Sequence, residues 1–99
     1  MSALGFLQDW YTSQCNEDWE HEFGVRIATL DNPGWVMEVD LIGTEIEGRR
    51  LEKSKLESAP GRWIWSSSDG EKFMSSCDQL SLEEMIFRFK DFSEGRIGS

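Results

Sequence analysis

Residues 25–42 read Val25-Arg26-Ile27-Ala28-Thr29-Leu30-Asp31-Asn32-Pro33-Gly34-Trp35-Val36-Met37-Glu38-Val39-Asp40-Leu41-Ile42, two alternating runs around a turn signal. Val25, Ile27 and Thr29 fall on one face of the first run and Arg26 and Ala28 on the other, the period of a half-buried strand. In the second run Trp35, Met37, Val39 and Leu41 stand opposite Val36, Glu38, Asp40 and Ile42. Between them Pro33 holds its own φ at about −65°, and Gly34 is the residue type that a type II turn needs at positive φ. The stretch therefore predicts a β-hairpin.

Working outward, residues 51–58 read as a weaker strand, Ala59-Pro60-Gly61 as a turn, and residues 62–67 as a strand with Trp63 and Trp65 on one face. Ser68-Asp69-Gly70 is another turn signal, and residues 71–76 close a second hairpin. Upstream, Leu4, Leu7, Trp10, Tyr11 and Cys15 recur at spacings of three and four, which predicts an amphipathic helix from Ser2, its N-cap, to Gln14. Downstream, Ser81-Leu82-Glu83-Glu84 has the form of a capping box before the apolar stripe Leu82, Met85, Ile86 and Phe89, and Gly95 is placed as a stop. Residues 16–24 show neither period and set charge beside Trp19 and Phe23, so they read as a loop entering a strand. The order predicts an α+β fold: an antiparallel sheet of about five strands in two hairpins, with N- and C-terminal helices packed on one face. A chain of 99 residues leaves room for one domain, expected to span 1–99, whose thin core relies on five Trp and six Phe.

Ten Lys and Arg against nineteen Asp and Glu give a net charge of −9, which argues against nucleic acid or anionic lipid as a partner and favours a basic one. The charge is lopsided. Residues 1–48 hold ten acids and one base, Arg26, whereas residues 49–99 balance nine acids with nine bases. No apolar run reaches the roughly 18 residues of a membrane span, and the first residues lack the pattern of a secretion signal. Cys15 and Cys77 form no CxxC pair, so two reduced thiols and a cytoplasmic location are expected.

The chain has no glycine-rich phosphate loop, no GxSxG elbow and no paired Cys or His metal spacing. His21 is its one histidine. Asp18, Glu20 and His21 are the residue types that hold a divalent cation or perform acid–base work, and they support an alternative reading as a small cytoplasmic hydrolase or metal-dependent enzyme. In an extended segment, however, Glu20 and Glu22 share one face and His21 points to the other. Cys15 as a nucleophile with His21 as its base lacks an orienting partner. Trp19, inside an acidic segment, and Trp35, directly after a turn, have two readings: core residues, or aromatic anchors of an interface. A partner-binding site on Glu17, Asp18, Trp19, Glu20, His21, Glu22, Asp31 and Trp35 would suit a partner presenting Arg or Lys.

Leu7-Gln8-Asp9-Trp10-Tyr11, the run from Gln14 to His21, Phe23-Gly24-Val25 and the run from Thr29 to Trp35 together resemble the immunity protein 53 family of bacterial polymorphic toxin systems. The ordered motifs DWEH and TLDNPGW, preceded by LQxWYxxQC, carry the resemblance over roughly residues 4–42. The family more often has Asp-Gly where this chain has Asn16-Glu17. The resemblance implies a small cytoplasmic protein, encoded beside a toxin, that binds the toxin domain and blocks it without chemistry and with no cofactor. Many toxins of such systems are nucleases with basic substrate sites, which an acidic inhibitor can occupy. Monomer and dimer both remain open.

Overall fold

The alternation along residues 25–42 becomes a hairpin of β1 (Val25–Leu30) and β2 (Gly34–Asp40), antiparallel with Val25 opposite Val39 and Leu30 opposite Gly34, in a computed structural model that describes residues 2–99. A three-residue turn, 31–33, closes it. Gly34 does not take the positive φ expected of it, because it is already the first residue of β2. Its glycine requirement comes from the neighbouring strand instead, since a β-carbon at this position would collide with the carbonyl oxygen of Cys77.

The remaining strands are β3 (Arg50–Ala59), β4 (Arg62–Asp69) and β5 (Lys72–Cys77), and the sheet order is β1-β2-β5-β4-β3, antiparallel throughout. Helices α1 (Ala3–Gln14) and α3 (Leu82–Ser93) pack on each other and on one sheet face, as the sequence predicts for an α+β fold. Between them lie Met37 and Val39 of β2, Phe73 and Cys77 of β5, and Ile64 of β4. Trp10 of α1 meets Phe89 of α3 edge-on at 4.9 Å, and Phe73 meets Phe92 at 4.9 Å. Burying each such aromatic contributes roughly 2–3 kcal/mol, so these few contacts dominate a small core. Trp63 and Trp65 do share a face, but it is the face away from the helices. There Trp65 is 36% exposed, and the ammonium groups of Lys53 and Lys55 lie 5.2 and 5.7 Å from its ring centre.

Helix α1 starts where expected, with the Ser2 hydroxyl accepting the Gly5 N–H at 2.9 Å. Its buried stripe is Ala3, Leu7, Trp10 and Gln14, narrower than the apolar pattern, so Leu4 and Tyr11 face solvent. The capping box before α3 does not form. The Ser81 hydroxyl instead donates to Asp78 and accepts from Arg62, which also pairs with Glu84, leaving neither box residue free. At the other end Gly95 stops α3 through two bonds, from its own N–H to the Phe92 carbonyl and from the Arg96 N–H to the Asp91 carbonyl. Among the described residues no helix is long and apolar enough to cross a membrane.

Candidate functional site

The segment read as a loop contains one helical turn, α2 (Trp19–Glu22), and its geometry follows from two side chains. Asn16 accepts the N–H groups of Asp18 (3.0 Å) and Trp19 (2.8 Å) through Oδ1. Glu20 reaches back to accept those of Asn16 (3.0 Å) and Glu17 (3.0 Å). Backbone N–H groups, its own first, outweigh partial burial and hold the Glu20 carboxyl below the usual range; Asn16 and Glu17 add to the effect. Closing this turn puts Glu17 at φ +79°, a left-handed conformation that glycine adopts more cheaply.

Trp19 is 5% exposed. Its indole packs against Trp10, Tyr11 and Phe23, and its N–H donates to the Ile42 carbonyl at 2.8 Å. Gly43, at φ +81°, lets the ring lie close, since a β-carbon there would stand 3.1 Å from Trp19 Cδ1. Of the two readings of Trp19, the structure places it in the core, where it rivets the acidic turn to the loop after β2. Sequence spacing held no sign of this link, because the carbonyl that accepts the indole N–H lies 23 residues away. The same loop carries Glu45 and Glu47, exposed, with Gln14 Nε2 donating to Glu45 at 3.3 Å. Glu17, Asp18 and Glu22 of the turn are exposed as well, and the bond from Trp19 to Ile42 ties the two acidic segments together, a link that sequence reasoning did not make.

Arg26, the one base of the first half, is spent internally. Its guanidinium grips both Asp40 oxygens at 3.1 Å and reaches Glu38 at 3.2 Å. Burial pushes the Asp40 carboxyl up, but Arg26 and the Gly24 N–H push harder the other way, and the net direction is down. Of the ten acids in residues 1–48, Glu38 and Asp40 are thus paired; among the described residues the remaining eight form no ion pair.

Asp31 and Trp35 do not reach this region. They lie at the turn end of the β1–β2 hairpin, about 20 Å of strand from Val25. Trp35 is half-buried and donates its indole N–H to the Gln79 carbonyl at 3.1 Å. His21 is exposed on α2. Asp18, Glu20 and His21 do not converge, since Glu20 is turned toward its own backbone, and among the described residues no group of three or more His, Cys, Asp or Glu is arranged to hold a metal. Cys15 and Cys77 are free, and burial first, with Asp78 nearby, pushes the Cys77 thiol up to about 11, which leaves it protonated and inert.

The turn at residues 16–22 thus exposes Glu17, Asp18, His21 and Glu22 and is held in place by the aromatic packing of Trp19. No curated protein and no solved structure matches the chain. A family model described as immunity protein 53 matches residues 4–94, nearly the whole length and well beyond the motifs of the first half. Immunity proteins of this kind are typically non-catalytic toxin inhibitors. The chain belongs to the immunity protein 53 family.

Proposed function

We propose that the chain neutralises a toxin domain with a basic functional surface, such as that of a nuclease, by covering it stoichiometrically in the cytoplasm. The observation that carries this reading is the imbalance around Arg26: eight acids of the first half have no ion-pair partner among the described residues, while the one base there is locked to Asp40 and Glu38. An unneutralised surface of this kind speeds encounter with a basic partner and costs little desolvation while its acids remain hydrated. Glu17, Asp18, His21, Glu22, Glu45 and Glu47 form the contact, Trp19 and Glu20 hold it in shape, and Asp31 with Trp35 extends the rim along the hairpin. Family membership supplies the toxin; the charge supplies the chemistry of its surface.

The test is titration of the cognate toxin domain. Activity falls to zero at a fixed molar ratio, and association slows at least tenfold between about 50 and 500 mM salt as the Debye length contracts from roughly 14 to 4 Å. Reversing Glu17, Asp18 and Glu22 together slows it similarly; Glu20 and Glu47 are spared because their carboxylates accept backbone N–H groups and hold the turn and the loop after β2. Protection at substoichiometric ratios, or association indifferent to both salt and charge reversal, overturns the reading.

A further inference from the structure

The two edges of the sheet differ. β3 has two register irregularities, carries the charged residues Glu52, Lys53, Lys55 and Glu57, and is covered at Arg50 by two backbone hydrogen bonds with Ser99. Irregularity, charge and cover are the devices that keep an edge from pairing with foreign strands. β1 has none of them. Its register with β2 is unbroken over six pairs, and Arg26, its one charged residue, is committed to Asp40 and Glu38.

The phase of that ladder fixes which groups are unused. The Asp40 N–H donates to the Gly24 carbonyl across β1–β2, and the Leu41 N–H donates to the Glu71 carbonyl across to β5. Alternation from these bonds turns the N–H and C=O of Arg26, Ala28 and Leu30 toward β2 and those of Val25, Ile27 and Thr29 outward. The side chains of Val25 and Ile27 line a groove of about 330 Å³ against Leu4, Leu7 and Tyr11 of α1. Three exposed large hydrophobics, Leu4 (65%), Tyr11 (38%) and Ile27 (36%), converge there. Unpaired backbone and apolar groove thus belong to the same residues, the combination that strand addition requires.

We infer that β1 is extended by a strand of the toxin, whose alternate apolar side chains fill the α1–β1 groove and whose other residues are basic. This rests on the toxin-neutralising reading above. Charge selects the occupant: β1 is bracketed by Glu22 before it and Asp31 after it, both without an ion-pair partner among the described residues, and two copies of a chain carrying −9 repel.

The probe is the cognate toxin domain, with amide exchange read residue by residue. Binding slows exchange at Val25, Ile27 and Thr29 at least tenfold, while Arg26, Ala28 and Leu30, already bonded to β2, change little. Thr29→Pro removes an outward N–H and no ladder bond, so it keeps the fold and weakens binding at least tenfold. Leu4→Gln, at an exposed position, weakens binding without moving the melting temperature. Toxin bound with unchanged exchange at Val25, Ile27 and Thr29, and with Thr29→Pro as tight as wild type, overturns this inference and leaves the neutralising reading standing. A wild-type chain that does not bind the toxin overturns both. A dimer that Thr29→Pro dissociates gives the edge to a second copy and overturns the choice of partner.

Discussion

The indole N–H of Trp19 donates to the carbonyl oxygen of Ile42 at 2.8 Å, joining the acidic turn to the loop that carries Glu45 and Glu47. Trp19→Ala removes this bond, empties the space beside Trp10 and Phe23, and loses about 3 kcal/mol or more of stability. Urea denaturation followed by far-ultraviolet dichroism measures it. A midpoint equal to wild type would place Trp19 outside the core.

Gly34→Ala tests a close approach. The added methyl meets the Cys77 carbonyl, a backbone atom that cannot swing aside, so β2 and β5 must separate at their first pair. The expected loss is about 2–3 kcal/mol, with amide exchange accelerated at Trp35 and Cys77 before the rest of the sheet. A loss of a few tenths would show that the strands have room to shift.

Glu17→Gly goes the other way. It relieves a non-glycine residue at φ +79° and leaves Glu20 its two backbone donors, for a gain of about 0.5–1 kcal/mol in a thermal melt. Asn16→Ala, which orphans the Asp18 and Trp19 N–H groups, costs about 1 kcal/mol in the same assay.

Acid weakens the fold through Asp40. Its carboxyl lies lower in the folded chain than in the unfolded one, where about 3.9 is usual, so its contribution is complete above about pH 5 and drains away as pH falls through the folded value. Asp40→Asn therefore costs about 1–2 kcal/mol at pH 7, a range reduced because Arg26 is half exposed, and its stability falls less steeply below pH 4 than that of wild type. Parallel pH profiles of the two proteins check this; identical acid limbs would acquit Asp40.

Met37, Val39 and Leu41 were legible because period-two alternation is local and all three are fully buried. Ser66 and Ser75 were not, although they too lie on the helix-covered face, their hydroxyl oxygens 3.1 Å apart, because small polar residues give no hydropathic contrast. A single helical turn such as α2 is too short to print a period and depends on Asn16 and Glu20 acting on backbone groups. The acidic character of the site could be read as a count. Its shape could not, since the contact that ties the acidic turn to the loop after β2 is a hydrogen bond spanning 23 residues, and Arg26 gives no outward sign that Asp40 consumes it.

The sheet order sets a clock on synthesis. β2 finds β1 at once, but its other neighbour is β5, about 40 residues later, so at about 5–20 residues per second the row of Met37, Val39 and Leu41 waits roughly 2–8 s for Phe73 and then longer for Phe89. During that wait the growing chain exposes its stickiest strand to the other chains emerging along the same message. What separates them is mutual repulsion, because the part already made bears all of the protein's net negative charge.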